Sequence, residues 1–125
     1  MNKENSTGIT VEQANELREK CKEAINLADC LTRLQNNADF KKLINENYLE
    51  LEPIRLVHLL ADPSLNNCDN KAKNRESIQE CMLGIARLSE YFRSILLMAD
   101  QAHKSLDALN EAEQDFYNST SNKEQ

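Results

Sequence analysis

Two pairs of residues in the chain have the side chains and the spacing of a metal site. Asp100 and His103 are three positions apart, and His58 and Asp62 are four apart, so each pair would share one face of a helix. A di-metal helical bundle needs two Glu-x-x-His motifs with further inward carboxylates, and the sequence contains no Glu-x-x-His. We therefore expect no bound metal, with His58 partly buried and satisfied by a polar neighbour and His103 at the edge of a bundle.

The four cysteines, Cys21, Cys30, Cys68 and Cys81, form neither a Cys-x-x-Cys pair nor a dense disulfide framework. Three follow helical patterns, where free cysteine serves as a small apolar residue, and Cys81 takes a predicted core position. Cys68 falls in a polar loop and is the better candidate for a reactive thiol. A catalytic cysteine would also need a histidine close in space, and the sequence indicates none for either thiol.

Other enzymatic signatures are missing as well. Gly8 and Gly84 are the only glycines, and neither lies in a Gly-x-x-x-x-Gly-Lys or Gly-x-Gly-x-x-Gly context, which excludes the usual phosphate-binding loops. Glu50 and Glu52 would point to different sides of a helix, which suits solubility better than acid–base catalysis. We expect a protein that is not an enzyme and uses no cofactor.

The composition indicates a single acidic helical domain. The 125 residues fit one domain, and two Gly and two Pro leave little room for the turns of a β-protein. The formal net charge of −6 opposes phosphate binding, and no basic patch overrides it, so no nucleic acid partner is expected. No stretch approaches the roughly 20 apolar residues of a membrane span or a secretory signal, so we expect a cytosolic chain with no membrane partner.

Local capping signals and apolar periodicity predict an all-α fold. Thr10 and Gln13 have the spacing of a capping box, and Asn36 with Asn37 offers both a helix end and a new N-cap. We expect an N-terminal helix at about 10–35, a broken middle helix at about 38–61, a long C-terminal helix at about 70–117, and short disordered tails at 1–9 and 119–125.

The middle helix is predicted to break or kink near Asn47, with a new helix beginning by Leu49 to Leu51, because Pro53 is tolerated within a first turn. The segment 54–61 that follows is apolar nearly all round, so we expect it to be well buried. Asp62-Pro63 should end this helix and open a polar loop over residues 64–70.

The long C-terminal helix carries an apolar stripe that alternates steps of three and four: Ile78, Cys81, Ile85, Leu88, Phe92, Ile95, Ala99, Ala102, Leu106 and Leu109, with Glu113 breaking the series and Phe116 resuming it. Such a helix would be about 70 Å long, too long for a 125-residue globule to cover alone. Beside the stripe lie Met82, Tyr91, Leu96 and Met98 rather than charges, which favours three or more packed helices. The sequence therefore predicts an elongated antiparallel bundle or coiled coil, from one chain or several.

The distal half of that helix is the predicted protein-interaction site: Ala99, Ala102, Leu106, Leu109, Phe116 and Tyr117. Two interpretations stay open at this stage. The stripe extends beyond the cover available within the chain and binds a partner, or the N-terminal helix runs antiparallel over it. The aromatic residues are anchors for a partner where they are exposed and core where they are buried.

Two segments carry a resemblance to a known group of proteins. The stretch ADFKKLINENYLELEPIRLVHLLADP at 38–63, followed by IARLSEYFR at 85–93, resembles small all-helical proteins of tailed bacteriophages, often encoded among virion-morphogenesis genes. The similarity covers roughly residues 25–110. The chain departs from it at Asn47, where the relatives tend toward Gly, and at Pro53, and the group offers no functional residue to transfer.

What the resemblance implies is a capsid-associated, scaffold-like or assembly role, with other phage proteins as partners, in the host bacterial cytoplasm or in the virion. The heptad pattern independently indicates self-association as a homo-oligomer. An alternative is a phage-encoded adaptor or inhibitor of a host protein, for which an acidic helical module suits equally well. A second alternative is a DNA-packaging subunit like the small terminase, which would need a basic helix that the sequence lacks.

Overall fold

The computed structural model describes residues 9–124, which contain helices and no strand. The predicted all-α class with one long C-terminal helix is confirmed. Helix α1 is Val11–Gln35; the middle helix α2 joins Ala38–Phe40, a π-helical stretch Lys41–Leu51 and Glu52–Leu60; α3 is Pro63–Asn66; α4 is Lys71–Glu124.

Both predicted N-terminal caps form. The backbone N–H of Thr10 donates to Gln13 Oε1 at 2.9 Å, and the N–H of Gln13 donates to Thr10 Oγ1 at 3.1 Å, which completes the capping box of α1. At the start of α2, the backbone N–H of Phe40 donates to Asn37 Oδ1 at 3.0 Å. The caps supply acceptors for N–H groups that the first helical turn leaves unpaired, so they fix where each helix begins.

The predicted break near Asn47 is wrong, because the chain passes through this region as a π-helix. The backbone N–H of Glu52 donates to the carbonyl of Asn47, five residues back, and Asn47 Nδ2 donates to the carbonyl of Lys42 at 2.5 Å. In α-helical geometry the ring of Pro53 would meet the carbonyl of Leu49. The wider turn offers a physical reason for continuity, since it moves that carbonyl away without ending the helix.

The predicted burial of segment 54–61 is also wrong. Leu56 is buried, whereas Ile54 and Val57 are 55% and 51% exposed and His58, predicted to be partly buried, is exposed. Only one side of α2 packs against the rest of its unit, so an all-round apolar sequence necessarily leaves part of its surface uncovered.

The predicted polar loop after Asp62 contains the short helix α3. The carboxylate of Asp62 caps this helix by accepting from the Ser64 hydroxyl at 2.7 Å and the Ser64 backbone N–H at 2.8 Å. Both hydrogen bonds lower the pKa of Asp62 below its usual value, and the bond from the Ser64 hydroxyl has the larger effect. Arg75 Nη1 then donates to the Leu60 carbonyl and to Asn66 Oδ1, both at 2.9 Å, which ties the ends of α2 and α3 to α4.

Helix α4 presents most of its predicted stripe inward. Ile85, Ile95, Ala99 and Ala102 are buried, but Cys81, predicted to be in the core, is exposed. Cys81 is exposed although Ile78 and Met82 on either side of it are half-buried, so it lies at the border of the covered face.

The helix α4 extends past its predicted end near Tyr117 as far as Glu124, so the predicted tail at 119–125 is helical up to that residue. Thr120 Oγ1 donates to the Phe116 carbonyl at 2.9 Å, and Gln114 Nε2 donates to Asn118 Oδ1 at 3.3 Å. These side-chain bonds span one helical turn and support the extension. The other predicted tail falls mostly on residues 1–8, which lie outside the described residues.

The chain divides into two compact units. The first unit is Met1–Asp29 with Ile95–Gln125, and the second unit is Cys30–Ser94. The first has Cys21, Ala28 and the buried residues of α4 from Ile95 onward as its core. The second has Leu31, Leu56 and Ile85 as its buried residues, with the rings of Phe40 and Phe92 6.1 Å apart. A single-domain organisation stays a prediction.

Replacing the cap of α2 should destabilise the protein. Asn37→Ala removes the acceptor for the Phe40 N–H and should lower the free energy of unfolding by about 1 kcal/mol. Asn37→Asp keeps an acceptor next to the positive end of the helix dipole and should cost less than half of that. Urea unfolding followed by circular dichroism measures both variants. Equal stability of Asn37→Ala and wild type would contradict the assigned cap.

The cap of α3 makes a prediction about pH. Because the folded pKa of Asp62 is lowered, the cap stabilises the fold above the usual carboxyl pKa, and that stabilisation disappears as the pH falls through the folded value. Ser64→Ala removes the hydroxyl donor and should raise the pKa of Asp62 toward its usual value, while Ser64→Thr should keep it low. NMR titration of the Asp62 carboxyl carbon measures the change. An unchanged pKa in Ser64→Ala would refute the hydroxyl's role.

Candidate interaction surface

In the first unit, α1 and α4 pack as an antiparallel pair. Arg18 of α1 binds Glu113 of α4 with Nη2 and Oε1 2.8 Å apart, while Ala24, later in α1, lies near Met98, earlier in α4. The Arg18 and Glu113 side chains are 21% and 55% exposed, so solvent screens the pair. An ion pair of this kind adds little free energy, but it indicates the register of the two helices.

The contact between these two helices is built from small side chains. Cys21, Ala28, Ala99 and Ala102 are all buried, and Ile95 is the one large buried residue of the first unit among the described residues. Small side chains let two helices approach closely, but they remove little apolar surface from water. The seam is therefore narrow: Leu106 and Leu109 are only half-buried, and Leu27 and Met98 remain exposed beside it.

The six residues predicted as an interaction site divide along α4. Ala99 and Ala102 are buried, Leu106 and Leu109 are half-buried, and Phe116 and Tyr117 are 70% and 65% exposed. The N-terminal helix thus covers the first part of this set, as one of the two interpretations expected. Phe116 and Tyr117 remain open to solvent, with their rings in edge contact at 6.2 Å. Their role in recognition stays a prediction.

A shallow groove of about 180 Å³ runs along one edge of the α1–α4 seam. Its floor is made of small residues and its rim of longer ones: Lys20, Cys21 and Ala24 from α1, and Met98, Gln101, Ala102 and Ser105 from α4. We call this feature the seam groove. It has the form of a slot for side chains of another helix, because small floor residues leave holes between the longer rim residues.

Three consecutive large apolar residues of α4 are exposed beside the seam. Leu96, Leu97 and Met98 are 45%, 54% and 57% exposed, and a helix turns by about 100° per residue, so they point in three directions. Of the three, only Met98 lines the seam groove. Sequence reasoning identified Leu96 and Met98 as uncharged flanks but missed Leu97, which lies opposite the stripe and carries no periodic signal.

The second unit has an exposed apolar face of its own, which sequence reasoning missed. Leu51, Ile54 and Val57 of α2 are each more than half exposed. Beside them, Arg55 donates two hydrogen bonds to the Glu52 carboxylate, at 2.6 and 2.7 Å. The side-chain hydrogen bond from Arg55 is the largest cause that lowers the pKa of Glu52. An ionised pair thus borders this apolar face.

The residues that could do chemistry do not converge. Asp100 Oδ2 binds Lys104 Nζ at 3.2 Å, and its sequence partner His103 is exposed. Across the described residues, no group of three or more His, Cys, Asp or Glu side chains is placed to hold a metal ion. Cys68 is exposed and donates through its thiol to the Leu65 carbonyl at 3.1 Å.

Comparison with protein-family models, curated proteins and solved structures finds no match for this chain. In the part of the chain that the structure describes, no helix is long and apolar enough to cross a membrane.

Two truncations test how α4 is oriented. Ile95→Ala opens a cavity at a residue only 5% exposed and should lower the free energy of unfolding by about 2–4 kcal/mol. Leu97→Ala, 54% exposed, should change it by less than about 1 kcal/mol. Chemical unfolding of both variants at one low protein concentration gives the comparison. A larger loss for Leu97→Ala than for Ile95→Ala would contradict the orientation.

Proposed function

We propose that this chain is a non-enzymatic structural or assembly protein of a tailed bacteriophage that acts by helix-mediated self-association and by binding other phage proteins. The observation that carries the proposal is the set of large apolar side chains left exposed on regular helices. In the first unit these include Leu27, Leu97, Met98, Phe116 and Tyr117. Apolar surface concentrated on helices commonly marks a protein-binding region.

The energetics favour cover by another protein chain. Fully burying one exposed Leu, Met or Phe side chain yields about 1.5–3 kcal/mol, so a few such contacts exceed the association cost of a weak complex. The same helices offer α-helical surfaces with uncharged flanks, which are the surfaces that coiled coils and bundles use. Self-association would cover these exposed side chains with a second copy of the same chain, so no other protein is required.

The phage context of the proposal rests on the resemblance of segments 38–63 and 85–93 described above. That resemblance favours action in the host cytoplasm or in the virion. The net charge of −6 disfavours the DNA-packaging alternative, since a packaging subunit needs a basic face.

A host-directed adaptor or inhibitor is the second candidate function. The exposed pair Phe116 and Tyr117 favours it, because two aromatic rings in contact on one helix offer rigid anchors for a heterologous partner. Experiments can separate the two candidates, because self-association needs only the purified chain whereas host binding needs a second protein.

We predict that the purified chain is larger than its monomer mass of 14.3 kDa at high concentration. Multi-angle light scattering after gel filtration, over a range of about 1 to 500 μM, should show a mass that rises with concentration, because weak interfaces dissociate on dilution. A constant monomer mass over the whole range would remove the self-association half of the proposal.

The assembly half is tested by finding where the chain resides during infection. Mass spectrometry of purified virions and precursor heads should detect it in a fixed ratio to the capsid protein. Recovery of a single host protein in fixed ratio by affinity capture, with none of the chain in particles, would support the inhibitor instead. Salt-dependent binding to duplex DNA would favour the packaging alternative over both.

A further inference from the structure

We propose that α2 can form two helical registers, and that Asn47 and Pro53 hold it in the π-helical one. In this π register Leu56 is buried while Leu51 and Ile54 are exposed. In the second register, which we call the α register, the π-helical stretch becomes α-helical and the rest of α2 rotates by about half a turn. Leu51 and Ile54 then replace Leu56 at the core. The inference concerns a single chain and goes beyond the function proposed above.

The exposure of α2 shows that the π-helical stretch changes which side of the helix faces inward. Within Ala38–Leu51 the side chains that are not exposed follow steps of four to five residues: Phe40, Ile44 with Asn45, and Leu49. Beyond that point they follow steps of three to four residues: Glu52 with Pro53, Leu56, and Leu59 with Leu60. The longer steps suit a π-helix and the shorter ones an α-helix. This change of step places Phe40 and Leu56 on the same side of α2.

An uninterrupted α-helix would direct a different set of residues inward. Phe40, which contacts Phe92, and Leu56 are 16 positions apart, so at about 100° per residue they would point about 160° apart. The residues on the side of Phe40 would follow steps of four, three, four and three: Ile44, Asn47, Leu51 and Ile54. Ile44 faces inward in both registers, whereas Leu51 and Ile54 are now exposed. The sequence of α2 therefore contains a second, α-helical, inward face.

The backbone favours the α register. A π-helix occurs mostly as a single turn inside an α-helix, and this stretch has 11 residues. Such a long run needs side chains that favour it over α-helical hydrogen bonding. Two residues of α2 have that effect.

Asn47 is the first residue that holds the π register. Its Nδ2 donates to the carbonyl of Lys42, five residues back, so the side chain adds a hydrogen bond to the π-helical stretch. In the α register the same amide would turn toward the core between Ile44 and Leu51, where a polar group without a partner is costly. Asn47 thus stabilises one register and destabilises the other.

Pro53 is the second residue that holds the π register. It now lies in the first turn of the α-helical stretch Glu52–Leu60, where its missing N–H costs little. In the α register it would lie inside a continuous α-helix, and its ring would meet the carbonyl of Leu49. Removing the ring removes this penalty.

The C-terminal end of α2 must adjust when the register changes. Arg75 Nη1 donates to the Leu60 carbonyl at 2.9 Å, and a rotation of half a turn would move this carbonyl away. The segment that follows has only the four-residue helix α3, which makes few contacts that oppose a shift. The exposed apolar face formed by Leu51, Ile54 and Val57 exists only in the π register, so the register controls whether that face is available.

Thiol labelling at two positions of α2 reports the register. Ile54→Cys and Leu56→Cys are made separately in a chain whose exposed cysteines are changed to serine: Cys30, Cys68 and Cys81. The native side chains at these two positions are 55% and 3% exposed. In the π register a thiol reagent should therefore react quickly at position 54 and slowly at position 56. Labelling at low protein concentration reports on single chains.

The double variant Asn47→Leu with Pro53→Ala should change the register. It removes both residues that hold the π register, and it adds an apolar side chain to the inward face of the α register. We expect labelling at position 56 to become at least about tenfold faster and labelling at position 54 at least about threefold slower. Glu46→Leu is the control, because it adds the same side chain at an exposed position outside both inward faces. It should change either rate by less than about threefold.

Opposite changes at the two positions separate a new register from loss of structure, because unfolding speeds labelling at both. Labelling that does not slow at position 54, or does not speed up at position 56, in the double variant would overturn the inference. Circular dichroism checks that every variant keeps its helices. Leu60→Cys, at a half-buried position on the same side of α2, replaces Leu56→Cys if that variant loses helicity. Neither result bears on self-association, which the mass of the purified chain tests separately.

Discussion

The narrow seam between α1 and α4 is the constraint on which the proposed behaviour of this protein depends. Alanine and cysteine side chains bring the two helices of the first unit together, and they remove little apolar surface from water. The larger residues of the same helices, such as Leu27 and Met98, therefore lie beside the contact. A seam with leucine at these positions would hold the helices farther apart and would cover more of its own flanks. Here that surface remains exposed to solvent.

The second unit has a related imbalance with a different origin. The π-helical stretch of α2, in which the Asn47 side chain bonds the Lys42 carbonyl, ends at Leu51. Pro53 follows in the first turn of the α-helical stretch Glu52–Leu60, where its missing N–H costs little. The helix emerges with Leu56 buried and with Ile54 and Val57 exposed. The apolar sequence after Pro53 therefore exceeds the surface that the second unit can bury.

Sequence reasoning succeeded where short-range chemistry decides the outcome. Thr10 with Gln13 and the side chain of Asn37 each find a partner three residues away, so spacing alone predicted the caps. It failed where the outcome depends on what lies across the helix. Periodicity placed Cys81 on the stripe of α4, but it could not show that Cys81 stays exposed while Ile78 and Ile85 of the same stripe are half-buried and buried. Nothing in the local pattern distinguished a break at Asn47 from a wider helical turn.

The same limit applies to the interaction surface. Apolar residues at alternating steps of three and four predict the inward face of α4, and this spacing correctly placed Ala99 and Ala102 there. Leu97 lies off that repeat, so the repeat does not predict that α4 has a large apolar residue on its exposed side. Lys20 has the sequence context of an ordinary solvated residue, and its position at the seam groove is visible only in the structure. From the sequence alone, the uncharged residues beside the stripe of α4 predicted packing by additional helices. The sequence could not show which side of the stripe those helices would cover.

The most direct test of the central claim replaces Leu27 and Met98, the large exposed residues beside the seam, with serine in one chain. Sedimentation equilibrium over a range of concentrations should show that the double variant associates at least about tenfold more weakly than the wild-type chain, because the exposed apolar surface that favours association is gone. Equal association of the double variant and the wild-type chain would contradict the account.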